Sequence, residues 1–111
     1  NDPEASALEL GRRRPGRVVV VGAGASGCLV ASDGRVVHEP APDLAEPVMD
    51  TNGAGDNLAA GFLVARLLDG LSLERAVRRA QIGARWICSR RGDAKSPITR
   101  SRLDVLERGT A

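Results

Sequence analysis

The sequence predicts an α/β fold, on three observations. The run Val18 to Val21 is four consecutive valines and has the β-branched character of a strand. Cys28 to Ser32 and Arg35 to Glu39 are β-prone and flank Asp33-Gly34, a dipeptide suited to a two-residue hairpin turn. Two amphipathic helical patterns follow one another in the second half of the chain.

Pro3 suits the first turn of a helix that Glu4 to Leu10 continue, with Ala7 and Leu10 on its apolar face and Gly11 as its stop. Arg12 to Gly16 reads as a basic linker. Arg17 to Val21 reads as a buried strand of the parallel-sheet type. Pro40 to Pro47 holds three of the six prolines and is a loop. Beyond it, Leu58, Phe62, Ala65 and Leu68 recur at helical spacing as one apolar stripe that ends near Gly70. Ser72 is a suitable N-cap for the next helix, where Leu73, Ala76, Val77, Ala80, Ala84 and Ile87 form the stripe. Arg78 and Arg79 are expected outside it. Thr99 is suited to cap a last helix containing Leu103, Val105 and Leu106.

The 111 residues suffice for one domain. Hydrophobic residues make up 42% and charged residues 27%, which excludes a disordered chain on composition. Only 2% are aromatic, so the core is built from Val, Leu, Ile and Ala and is thin for a free-standing domain. A net charge of +2 is too small to imply nucleic acid, and almost no aromatic residues stand among the arginines to stack on bases. The longest largely apolar run, Val18 to Ala31, is broken by three glycines and a serine, so no membrane span is expected. Cys28 and Cys88 lie in apolar runs without metal-type spacing and are expected as buried free thiols of a reducing cytoplasm. His38 is expected on the surface of a strand.

Two glycine motifs compete for function. Gly22-Ala23-Gly24-Ala25-Ser26-Gly27 after the valine run matches the dinucleotide fingerprint. That fingerprint needs a helix to open behind it, and only Cys28 to Ser32 separate Gly27 from the Asp33-Gly34 turn, which leaves no room for one. The second motif is Asp50-Thr51-Asn52-Gly53-Ala54-Gly55-Asp56, running straight into a helix. Small residues ahead of a helix expose amides, and with the helix dipole these form an anion site. Asp56 falls in the first turn, beside that site. A carboxylate there is placed to take a proton from a hydroxyl nucleophile during phosphoryl transfer.

From Asp50 to Leu63 the sequence resembles the C-terminal signature of the ribokinase-like (PfkB) kinases of sugars and nucleosides. Asn1-Asp2-Pro3-Glu4 is similar to the family's N-x-x-E motif. Val18 to Val21 with Gly24 and Gly27 is similar to its T-x-G-x-x-G nucleotide segment, with Gly22 standing in place of Thr. Arg91-Gly92 through Ser96 resembles its adenine and cation loop. The resemblance implies a ribokinase-like fold, a Rossmann-like sheet flanked by helices. On it, residues 1–111 form the C-terminal nucleotide-binding and catalytic part, and the N-terminal substrate and lid part is absent.

The same resemblance implies ATP-dependent transfer of the γ-phosphate to a hydroxymethyl group of a sugar or nucleoside, poorly catalysed by the isolated segment. Asp56 is then the catalytic base, and Gly53, Ala54 and Gly55 the anion hole. Gly24, Gly27, Gln81 and Gly92 would contact the nucleotide. Asn1 and Glu4 would act near Mg²⁺ through its waters, and Asp50, Asn52 and Ser96 at a monovalent-cation (K⁺) site. A small-molecule substrate, no nucleic acid or membrane partner, a cytoplasmic location and homodimerisation of the full-length protein complete the expectation. The competing functions are a non-catalytic kinase segment acting as an interaction module and an NAD- or FAD-binding oxidoreductase segment.

Overall fold

A computed structural model describes residues 2–13, 16–22, 24–91 and 96–110. The chain falls into two compact units, Asn1–Ala41 and Pro42–Ala111.

The first unit is one helix on a three-stranded sheet. Helix α1 spans Pro3–Arg12, and the Asp2 side chain caps it by accepting the amides of Glu4 (3.0 Å) and Ala5 (3.4 Å). The helix does not stop at Gly11. Ala7 is fully buried, whereas Leu10 is 40% exposed. The packed face is therefore Ala7 and Gly11, one turn apart, and a Cβ on Gly11 would lie 3.8 Å from that of Ala31 in the sheet. Two small residues let the helix lie close to the strands.

Strands β1 (Val18–Gly22), β2 (Cys28–Ser32) and β3 (Arg35–Glu39) lie in that order, each antiparallel to the next. Val20 stands opposite Val30, and Val30 opposite Val37. The expected parallel pairing of β1 is thus not what this sheet shows; Val19, Val20 and Val21 are only half-buried and Val18 is exposed. The connection explains it: a parallel crossover needs a dozen residues or more, and β2 begins only a few residues after β1 ends. The hairpin is as expected, with φ of 51° at Asp33 and 75° at Gly34, the left-handed pair of a type I′ turn. His38 is exposed on β3, and its ring Nε2 hydrogen-bonds with the Ser26 carbonyl. Cys28 is buried on β2 and, like Cys88, is a free thiol.

The second unit is helical. Helix α2 (Ala54–Leu63) runs into a π-turn over Val64–Leu68, followed by α3 (Leu73–Cys88) and α4 (Arg100–Thr110). Gly61 sets the α2–α3 approach, since a Cβ there would stand 3.2 Å from the Ala80 Cα. The expected α2 stripe holds only to Ala65, which is buried; Leu68 is 79% exposed. The π-turn is the cause. The Asp69 amide donates to the Val64 carbonyl, five residues back, and the wider turn rotates Leu68 outward.

Ser72 and Thr99 cap α3 and α4, their hydroxyls accepting the Arg75 and Arg102 amides at 3.2 Å. Arg79 departs from expectation: it is buried, because Asp104 and Glu107 of α4 each accept from its Nη1 at 2.8 Å. Arg90 lies over the Trp86 ring, 4.3 Å from its centre, at the end of α3. Among the described residues no helix is long and apolar enough to cross a membrane.

Candidate active site

The second glycine motif folds into a tied-down bend that leads into α2. The amides of Met49 (2.7 Å) and Asp50 (3.0 Å) both donate to the Cys88 carbonyl at the end of α3, which fixes where the bend begins. Asp50 Oδ1 then accepts the Asn52 amide at 3.0 Å, an Asx-turn that starts the reversal. Gly53 completes it with φ 86° and ψ −3°, a left-handed conformation in which a side chain is strained.

The hydrogen bonds of this bend are unevenly shared. The Gly53 carbonyl accepts twice from Asn57, from its amide at 3.0 Å and its side-chain Nδ2 at 2.9 Å. The Ala54 amide reaches back to the Thr51 carbonyl at 3.3 Å. No side chain caps the helix. Among the described residues, the amides of Gly55 and Asp56 therefore find no acceptor. Gly55 and Asp56 are exposed, so both donors and the Asp56 carboxylate face open space at a helix N-terminus. Such donors suit an anion, and the helix dipole adds to them. This corrects the expected anion hole in one respect. The Ala54 amide is engaged by Thr51, whereas among the described residues the amides of Gly53, Gly55 and Asp56 have no acceptor.

Asn57 was not singled out from the sequence as part of the site. It locks the Gly53 carbonyl away from the anion side, and its signal was the spacing of a glycine and an asparagine one helical turn apart. A cleft of about 330 Å³ lies between α2, α3 and α4, lined by Asn57, Gly61, Val64, Gly83, Ile98 and Leu103 among others. Asp56 is not part of that lining.

Asp50, Asn52, Gly53, Ala54, Gly55 and Asp56 thus share one bend. Gln81 is buried on α3, and Ser96 is exposed before α4. In the first unit, Glu4 is exposed in the first turn of α1. Gly24 is exposed at φ 57° with open space where a Cβ would be. Gly27, at φ 96°, is buried, and its Cβ position falls 2.1 Å from the Glu39 carbonyl oxygen, so its bare face meets the protein itself. Between them Gly24–Ser26 form a single 3₁₀ turn and the chain then enters β2, so the helix of a dinucleotide fingerprint is not formed. Asn1 and Gly92 lie outside the described residues. Among those described, no group of three or more His, Cys, Asp or Glu could hold a metal ion.

Residues 1–100 match the model of the pfkB family of carbohydrate kinases. The chain belongs to this family. Its PfkB relatives include the adenosine kinase of Schizosaccharomyces pombe, 41% identical over 73 residues that make up 65% of this chain and 21% of that enzyme. The ribokinase of Thermotoga maritima superposes with a TM-score of 0.81 at 28% identity, over 97% of this chain and 35% of its own. A Cryptococcus neoformans ribokinase in complex with ADP gives 0.69 at 32% identity, over 83% of this chain and 28% of its own. The fold is ribokinase-like α/β. The chain spans from about a fifth to about a third of the length of these relatives.

Proposed function

We propose that the chain carries the catalytic base and phosphoryl-binding bend of an ATP-dependent kinase acting on a hydroxymethyl group of a sugar or nucleoside. The observation that carries this is the juxtaposition at the start of α2: an exposed Asp56 carboxylate beside the amides of Gly53, Gly55 and Asp56, which have no acceptor among the described residues. Membership of the PfkB family supports the reaction class, and the ADP held by the Cryptococcus ribokinase supports an adenine nucleotide as co-substrate.

In this reading the acceptor's hydroxyl proton passes to the Asp56 carboxylate as its oxygen attacks the γ-phosphorus. The bond to the β-phosphate oxygen breaks, and ADP leaves. The Gly55 and Asp56 amides donate to the oxygens of the migrating group, where preorganised donors have most effect. Mg²⁺ would supply charge neutralisation on the phosphates; Glu4 and Asn1 are the oxygen-bearing residues assigned to it and its waters. Gly24, with its open face, and Gln81 are assigned to the nucleotide, together with Gly27 and Gly92. Asp50, Asn52 and Ser96 are assigned to a monovalent cation such as K⁺; Asp50 already bonds within the bend, which fits a structural more than a reactive role. Adenosine and ribose are different acceptors, so the segment shared with both relatives does not select the substrate.

The test places this chain in the Thermotoga ribokinase in place of the matched segment and measures phosphoryl transfer from Mg-ATP to a panel of sugars and nucleosides. Asp56→Asn should lower kcat by about 10²–10⁴-fold with little change in ATP binding, the range expected on removing a general base. Turnover within a few-fold of the parent would sink the assignment.

A further inference from the structure

The single histidine of the chain ties down the glycine turn between β1 and β2. The ring Nε2 of His38, on β3, hydrogen-bonds with the Ser26 carbonyl. A carbonyl only accepts, so Nε2 carries the proton in this contact. The other end of the same peptide unit is engaged as well, because the Gly27 amide donates to the Gly24 carbonyl at 3.1 Å. The Ser26–Gly27 peptide is thus held at its oxygen and at its N–H, and it cannot rotate without breaking one of the two bonds. Gly27, at φ 96°, seats its bare face on the backbone of Glu39 to Ala41, the residues that follow His38. The turn is therefore fixed to the end of β3 by one side chain and by the backbone next to it. The rest of the turn is bare. Gly24, Ala25 and Ser26 are exposed, and nothing lies within 4 Å of a Cβ built on Gly24. Among the described residues the amides of Ala25 and Ser26 have no acceptor.

We propose that His38 is a positioning residue for the nucleotide: by holding the Ser26 carbonyl, its ring fixes the turn in the shape that leaves the Gly24 face and the Ala25 and Ser26 amides open. The inference rests on the assignment of Gly24 to the nucleotide, and it adds a residue outside the glycine motif, on another strand. The fold itself does not call for the contact. Backbone pairing already holds β3 to β2, with His38 opposite Leu29, and the ring is exposed and fills no part of the core. The turn does call for it. Gly22, Gly24 and Gly27 give this segment more backbone freedom than any other residue type would, and a tether on Ser26 removes much of that freedom before a ligand arrives. A site ordered in advance spares the ligand the cost of ordering it, which strengthens binding. His38 acts through Ser26, so it bears on how firmly ATP is held and not on proton transfer at Asp56.

The experiment compares His38→Leu, His38→Gln and His38→Asn in the ribokinase chimera described above, with Mg-ATP as the varied substrate. Gln sets an N–H donor the same number of bonds from the Cα as the ring Nε2, whereas Asn sets it where Nδ1 stands, too short to reach Ser26. His38→Leu and His38→Asn should each raise the KM for ATP about 3–10-fold, the range that one net hydrogen bond supports, with kcat and the acceptor's KM near the parent's. His38→Gln should restore the parent's KM. In the 111-residue chain without nucleotide, the Gly27 amide should exchange its hydrogen several-fold faster in His38→Leu than in the parent or in His38→Gln. A folded His38→Leu chimera with an unchanged KM for ATP, where Gly24→Ala raises it, overturns the inference and leaves the nucleotide assignment standing. If neither variant moves that KM, the nucleotide assignment of the turn fails and the inference falls with it. Equal KM values for the Gln and Asn variants, or a fall in kcat alone, overturn it by removing the Nε2 donor as the cause. A His38→Leu chimera that fails to fold overturns it too, since the ring would then serve the fold and not the turn.

Discussion

Gly61 of α2 rests on Ala80 of α3 so closely that an added Cβ would lie 3.2 Å from the Ala80 Cα and 3.5 Å from its Cβ. The neighbour is backbone within a helix, which yields only if the whole helix moves. Gly61→Ala gains about 1 kcal/mol of helix propensity and loses a similar amount to this contact, so its stability should change little. Gly61→Leu has no such balance. It should destabilise the second unit by about 1–3 kcal/mol through overpacking, read as a lower urea midpoint. A Gly61→Leu variant as stable as the parent would show that the two helices are not held at this distance.

The Glu107 carboxylate, held by Arg75 and Arg79, makes stability depend on acid. The Glu107 carboxyl is held below its ordinary 4.5, first by the hydrogen bond from Arg75, against the opposing effect of burial, and then by Arg79. A carboxyl lowered in the folded state contributes stability that is present above its unfolded pKa and lost as the pH falls through the folded one. Urea midpoints should therefore fall on acidification below about pH 4.5, and Glu107→Gln should flatten that limb. At neutral pH the same variant should cost about 1–3 kcal/mol, because Arg79 stays buried with one carboxylate fewer. An unchanged acid limb would assign the pH dependence to other groups.

Cys28 should be silent in the native state. Burial raises its thiol above the ordinary value of 9.0, and the negative charge of Glu39 raises it further. Both effects remove the thiolate, the reactive species. A disulfide reagent at pH 8 should modify Cys28 only as fast as the first unit opens, with the rate rising in urea. Rapid modification in native buffer would contradict its place on β2.

What the sequence made legible follows how local each cause is. The Asp50–Asp56 bend was readable as a run of small residues opening a helix with an acid, Asp56, in its first turn, whereas the Asx-turn at Asp50 and the positive φ at Gly53 are seen only in the structure. The Asp33-Gly34 hairpin and the Ser72 and Thr99 caps were readable on the same ground. Arg79 was not, because its burial depends on Asp104 and Glu107, residues on another helix. Leu68 was not, because one extra residue in a π-turn rotates everything after it and leaves no mark in the apolar spacing. The engagement of the Ala54 amide by Thr51 depends on how the loop closes, which neither the residue types nor the resemblance reveals.

Gly24 and Gly27 both have positive φ, and their surroundings give the two substitutions opposite diagnostic value. A Cβ on Gly27 would sit 2.1 Å from the Glu39 oxygen and 2.8 Å from the Ala41 nitrogen, both backbone atoms. Gly27→Ala therefore combines strained φ with a clash that the strand end cannot relieve, and should destabilise the first unit by more than about 2 kcal/mol. Gly24 has nothing within 4 Å of that position, so Gly24→Ala carries only the left-handed penalty, about 1–2 kcal/mol. If the open face of Gly24 is where a nucleotide approaches, Gly24→Ala in the ribokinase chimera should raise KM for ATP several-fold while kcat and the acceptor's KM stay near the parent's. A thermal scan separates the cases: Gly27→Ala shifts the transition far more than Gly24→Ala. An unchanged KM for ATP in a folded Gly24→Ala chimera would remove Gly24 from the nucleotide site and leave both glycines as requirements of the β1–β2 turn alone.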